Sequence, residues 1–167
     1  MRKIGENILY GASGVMTIVD IREESVVDVS RKYYVLRSAN SRSDSLTFVP
    51  ADNERLVGAM RSLLTREELD GLFATAPSVE PCAWIEGNRP RSESFKQIMD
   101  SGDRKGMIAM VKAIDNHGII RSEEGRKNFL SDETAKQKAL KLLASEIAIV
   151  LGISDDEAIE MAENLVK

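Results

Sequence analysis

The chain has one histidine, His117, one cysteine, Cys82, and a few carboxylate pairs with which to move protons or attack a substrate. A catalytic set needs a base beside a nucleophile and a third group to orient the base. His117 has no neighbouring Ser, Cys or paired carboxylate in sequence. Its expected place is a helix end, where a partly charged imidazole suits the negative pole of the helix dipole. A single cysteine excludes an internal disulfide, and with one histidine it leaves no Cys/His set for zinc. The run Gly11–Gly14, GASG, lacks the third glycine, the Lys-Ser/Thr pair and the following helix of a phosphate-binding loop, and reads as a tight turn between strands. Glu23-Glu24 falls in a turn region and Asp155-Asp156 in a helix first turn, where solvation or the dipole accounts for them. Glu146 adjoins the apolar stripe of a long helix. A carboxylate at the stripe's edge is the ordinary reading, and a hydrogen bond to a neighbouring helix terminus the alternative. These residues predict no enzyme, no cofactor and no metal.

The segment CAWIEGNRPR, Cys82 to Arg91, poses a different question, because it sets the only tryptophan in a polar stretch flanked by Pro81 and Pro90. One reading packs the Trp84 indole against a helical bundle. In the other, the flat ring wedges against base pairs where DNA is kinked or opening. Arg89 and Arg91 would then hold the adjacent phosphates without reading sequence. Lys96, Lys105, Lys136 and Lys138 extend that footprint if the fold turns them to one side; taken singly, each reads as part of a solvated helix face. The charge distribution favours this region. Net charge is −4 overall, but residues 1–83 carry −2, residues 84–141 carry +3 and residues 142–167 carry −5. A modest basic patch can touch phosphates without general stickiness.

These residues must be positioned by two kinds of element. From Asn7 to Pro50 the short runs NILY, VMTIVDI, KYYVLRS and LTFVP are rich in β-branched and aromatic residues and are separated by turn signals. So few short strands bury one face best as a small, curled barrel. After Pro50 the signals become helical. Thr65 with Glu68 forms a capping box before REELDGLFA. A second helix begins near Pro90 and ends at Gly102. Asp103 caps a third, with Met107, Ile108, Val111 and Ile114 on its apolar face, predicted to stop near Gly118. After the polar run GIIRSEEGRKN, Ser131 opens the longest helix, striped by Leu140, Leu143, Ile147 and Val150 and stopping at Gly152. Ser154 with Glu157 opens the last. The expected fold class is α+β in two domains, a β-barrel over residues 1–60 and an all-α helical bundle over 61–167.

No apolar run approaches a bilayer's thickness, and Met1 to Glu6 meets an acidic residue before any hydrophobic stretch, so neither a span nor a secretory signal is read. The expectation is a reduced, cytoplasmic protein.

Taken in order, YYVLR (Tyr33–Arg37), TFVPADNERLVG (Thr47–Gly58), LLTREELDGLF, the tryptophan with its downstream arginines, FKQIMDSGDR (Phe95–Arg104) and ALKLLASEIAIVLGISDDEA (Ala139–Ala158) resemble the CarD family of bacterial transcription regulators across nearly the full length. The resemblance implies a Tudor-like (SH3-like) barrel that binds the β subunit of RNA polymerase through Arg22, Arg37, Thr47, Phe48, Val49 and Pro50. It also implies a helical domain that contacts promoter DNA weakly, in the minor groove and without sequence preference, at the upstream edge of the bubble. Trp84 matches the family's wedge residue, with Arg89, Arg91, Lys96, Lys105, Lys136 and Lys138 as the accompanying cations. The implied activity is modulation of open-complex stability by a monomer held at the nucleoid through polymerase. The alternative is an adaptor that binds polymerase without touching DNA. The chain departs from its relatives at Phe48, where they often carry a basic residue, at Glu86 beside the tryptophan, and at Glu133 and Thr134 near the start of the long helix.

Overall fold

The computed structural model describes residues 1–26, 28–40 and 42–167, without the side chain of Val26. The chain divides into two compact units, Met1–Leu63 and Leu64–Lys167.

The first unit is built on an antiparallel sheet whose described strands are β1 (Asn7–Tyr10), β2 (Val15–Val26), β3 (Val29–Ser38), β4 (Leu46–Pro50) and β5 (Met60–Ser62). The strand order is β4-β3-β2-β1-β5. Both ends of that order are edges, so the hydrogen-bonded sheet is open where a barrel is expected from the sequence. Gly11–Ser13 form a 3-10 turn between β1 and β2, which agrees with the turn read at GASG. A register shift between Ile18 and Asp20 inserts an extra residue into β2 against β3, and such a bulge bends and twists the strand locally.

Alternation along the strands sends Tyr34, Leu36 and Val49 to one face, where they join Ile8, Met16, Ile18 and Met60 in the core. Helix α1 (Glu54–Gly58), capped by the Asn53 side chain, adds Leu56 and Val57 to that face. Neither α1 nor β5 is announced by periodicity, being five and three residues long. The opposite face carries Arg22, Tyr33, Val35, Arg37 and Phe48, by the pairing Arg22↔Tyr33 and Val35↔Phe48.

The second unit contains α2 (Arg66–Thr75), α3 (Asn88–Ser101), α4 (Arg104–Glu123), α5 (Leu130–Leu151) and α6 (Asp155–Leu165). Both predicted capping boxes form, Thr65 with Glu68 and Ser154 with Glu157. Gly102 closes α3 in the left-handed conformation, and Asp103 caps α4 by accepting from the Gly106 N–H. The interior is lined by Met107, Ile108, Met110, Val111 and Ile114 of α4 and by Leu140, Leu143 and Ile147 of α5, all buried.

Two helix boundaries differ from the sequence expectation. Helix α4 does not stop at Gly118 but runs to Glu123. A Cβ at position 118 would lie 2.6 Å from the Asn128 side chain; the glycine admits the following loop to the helix flank instead of ending the helix. Helix α5 opens at Leu130, with Phe129 at its N-cap and no side-chain cap, where Ser131 is the expected opener. Glu146 is not an edge residue: it is 3% exposed and accepts from the Leu64 N–H (2.8 Å) and from the Arg104 guanidinium (3.0 and 2.7 Å). A buried carboxylate that collects an arginine and a backbone donor is satisfied rather than strained.

Candidate nucleic-acid and polymerase interfaces

Trp84 lies in the connector between α2 and α3, partly buried. Its indole stacks on the His117 imidazole of α4, ring centroids 3.7 Å apart and planes inclined by 10°. The Arg91 guanidinium of α3 also lies over the indole, 4.5 Å from its centroid. The connector is pinned before the tryptophan, where the Cys82 N–H donates to the Ala109 carbonyl at 3.1 Å. It is pinned again beyond it, where Arg91 Nη1 donates to the carbonyls of Ile85 (3.0 Å) and Gly87 (3.2 Å). Burial pushes the Cys82 thiol above its usual range, so it stays protonated near neutral pH and is a poor nucleophile.

Arg91 is not an exposed phosphate ligand, contrary to the sequence expectation. It is 2% exposed, and its Nε and Nη2 donate to the two Asp132 oxygens at 3.0 and 2.9 Å. With Asn88 Oδ1 at 3.5 Å from Nη2, its donors are committed inside the protein. The physical reason is the geometry of α3. Arg91 is the first residue of that helix to face the bundle, with Phe95 and Met99 following at four-residue spacing, all three buried. The guanidinium also approaches Phe129, 5.2 Å from its centroid, and Arg121 covers the same ring at 4.1 Å. His117, Trp84, Arg91, Phe129 and Arg121 thus form a connected set of stacked and cation–π contacts, with Phe129 39% exposed.

The other expected cations separate. Arg89, Lys96, Lys105 and Lys138 are exposed, on α3, α3, α4 and α5. Arg89 and Lys96 are seven residues apart and share a side of α3. Lys138 lines a shallow groove of about 440 Å³ with Leu130, Gln137 and Lys141. Lys136 is partly buried and bridged to Asp115, so it is engaged within the protein. The structure therefore brings Trp84 together with Arg91 and not with a ring of exposed lysines.

The sequence reading passes over His117, Asp132, Phe129 and Arg121 as members of this cluster. A signal exists for two of them: Met110, Ile114, His117 and Arg121 continue one stripe of α4 at spacings of four, three and four. Nothing in the pattern marks Asp132 or Phe129.

In the first unit, the residues expected to meet polymerase divide between the two sheet faces. Arg22, Arg37 and Phe48 are exposed on the outer face. The Arg22 guanidinium sits 5.1 Å from the Phe48 ring centroid, and Tyr33 meets Phe48 edge-on at 6.3 Å. Partly buried Pro50 shares their face, whereas partly buried Thr47 and Val49 lie on the core face, and Val49 is 1% exposed, which withdraws its side chain from any partner. Strand β4 is an edge. Ala51 N–H donates inward to the Lys32 carbonyl, so by alternation the backbone groups of Thr47 and Val49 face β3 and those of Leu46, Phe48 and Pro50 face outward. An open edge beside an aromatic side chain and a cation is suited to receiving an extended segment of another chain.

Among the described residues, no three His, Cys, Asp or Glu side chains gather as a metal site, and no helix is long and apolar enough to cross a membrane.

The chain pairs an antiparallel sheet unit that has an open edge with a helical unit that holds one stacked tryptophan. Residues 3–63 match the model of the CarD-like/TRCF RID domain. The N-terminal unit is thus similar to a domain of that type, which supports the CarD-family resemblance and points to RNA polymerase interaction in transcription. Comparison with curated proteins gives no match.

Proposed function

We propose that the protein is a transcription regulator that binds the β subunit of RNA polymerase through the β4 edge and the face carrying Arg22 and Phe48. Its helical unit contacts promoter DNA at the upstream edge of the bubble and modulates open-complex stability. The observation that carries this reading is the match of residues 3–63 to a CarD-like/TRCF RID domain, combined with an edge strand that still has outward backbone donors and acceptors. Tethering raises the local concentration of the helical unit at DNA, so a contact too weak to act alone becomes effective. That arrangement suits a chain of net charge −4. Trp84 supplies the apolar wedge, and Arg89, Lys96, Lys105 and Lys138 are the exposed cations that accompany it.

The test uses RNA polymerase and a promoter template. Phe48→Glu removes polymerase binding. Trp84→Ala keeps that binding and shortens the lifetime of the open complex. Unchanged lifetimes for Trp84→Ala on several promoters would reject the wedge.

The burial of Arg91 and the pairing of Lys136 favour a second reading by taking two cations away from DNA. In it the helical unit recruits another protein and the chain is an adaptor. Crosslinking of the helical unit to promoter DNA that weakens with added salt selects the first reading, and no crosslink at any salt selects the second.

A further inference from the structure

We infer that His117 is a positioning residue for Trp84: it braces the indole so that the ring meets DNA as a rigid prop. The inference rests on the DNA contact proposed above and deepens it. An indole in a connector free to turn about χ1 and χ2 would yield to rewinding strands. The pressure would go into rotating the side chain, and ordering it on contact would cost entropy. Here that freedom is already removed. The connector backbone is held at Cys82 by Ala109 and at Ile85 and Gly87 by Arg91. Arg91 is itself fixed by Asp132 of α5. The ring then lies on His117 at 3.7 Å, nearly parallel, on a residue well inside the C-terminal half of a 20-residue helix. A face covered by an imidazole cannot also stack on a base. With the Arg91 guanidinium also over the ring at 4.5 Å, the brace excludes full intercalation and leaves the indole to act by the edge that neither His117 nor Arg91 covers. This gives the only histidine a role that needs no proton transfer.

Three variants of the full chain test this. His117→Ala removes the brace, His117→Phe keeps a flat ring at the same place, and Trp84→Ala removes the prop. In the free protein, time-resolved anisotropy of the sole tryptophan should show faster ring motion in His117→Ala, with wild-type behaviour in His117→Phe. With polymerase and promoter, His117→Ala should shorten open-complex lifetime by roughly two- to tenfold, the range a lost aromatic pair predicts. His117→Phe should recover it. Polymerase binding should stay near wild type for both His117 variants, and His117→Ala should lose no more thermal stability than one aromatic pair supplies, which separates positioning from loss of the fold. If Trp84→Ala shortens the lifetime and His117→Ala does not, the brace is overturned and the wedge stands. If Trp84→Ala has no effect, the wedge falls and the brace loses its function with it.

Discussion

The Arg91 guanidinium and the Asp132 carboxylate, 41 residues apart, face each other in a two-point contact of 3.0 and 2.9 Å, and both side chains are almost fully buried. This pair joins α3 to α5 and, through the Ile85 and Gly87 carbonyls, also fixes the connector that carries Trp84. Removing one partner leaves the other charged, buried and without its counter-ion. Asp132→Ala is therefore expected to destabilise the helical unit by about 3–5 kcal/mol, measured by urea unfolding followed by tryptophan emission. Arg91→Ala should cost a similar amount. The double variant should cost less than the two single losses added together, because the second change removes the stranded charge.

Glu146 has the same character in another place. It holds Arg104 of α4 and the Leu64 N–H at the start of the helical unit, and it is 3% exposed. Glu146→Ala is expected to destabilise by about 3 kcal/mol, because it strands a guanidinium and a backbone donor at once. Hydrogen exchange should show the added opening first at Leu64 and in the segment leading into α2.

Much of this arrangement is legible in the sequence and some is not, and the division has a physical cause. The capping boxes at Thr65 and Ser154, the stop at Gly102 and the cap at Asp103 are local: each is decided by residues within about one helical turn, so spacing reveals them. The ion pair of Arg91 is decided by a residue on a helix packed much later in the chain, and a run such as NRPRSE looks the same whether its arginine faces inward or outward. For Glu146 the edge reading fails and the alternative holds, a bond from a helix terminus at Leu64 just before α2. The pattern does not choose between them, because its partners Arg104 and Leu64 lie 42 and 82 residues away. Gly118 misleads in another way: as a local signal it reads as a stop, yet its small size serves the approach of Asn128. The strands are found, but β2 runs on to Val26 through Glu23-Glu24, read as a turn, and the two carboxylate residues pair opposite Lys32 and Arg31. The closure of the sheet depends on which edges meet, and that is not written in any one strand.

Val49 and Phe48 are adjacent but point to opposite faces of β4, so they predict opposite phenotypes. Val49→Ala leaves a gap in the core and should cost on the order of 2 kcal/mol of stability in the first unit. Phe48→Ala should leave thermal stability nearly unchanged while weakening polymerase binding, measured by pull-down with the polymerase β subunit. Equal binding by Phe48→Ala and wild type would place the contact elsewhere.

The cap of α6 titrates. Hydrogen bonds from the Ser154 N–H and hydroxyl to the Glu157 carboxylate lower its pKa from the ordinary 4.5. A carboxyl lowered in the folded state contributes stability above its unfolded value, and that contribution is lost as pH falls through the folded one. Stability of the wild type should therefore decline below pH 4.5 more steeply than that of Glu157→Gln, which has no carboxylate to protonate at the cap. Parallel acid-unfolding curves for the two proteins would contradict this assignment.

Pro50 ends the outward row of β4 without an amide hydrogen, so Leu46 and Phe48 are the residues left there to donate. A visiting strand can zip along only two rungs before it meets the pyrrolidine ring. Such a short ladder gives little grip to an arbitrary sticky segment, or to a second copy of the same strand. Recognition is thereby handed to the side chains beside the rungs, and the molecule keeps an unpaired margin without becoming a seed for fibres.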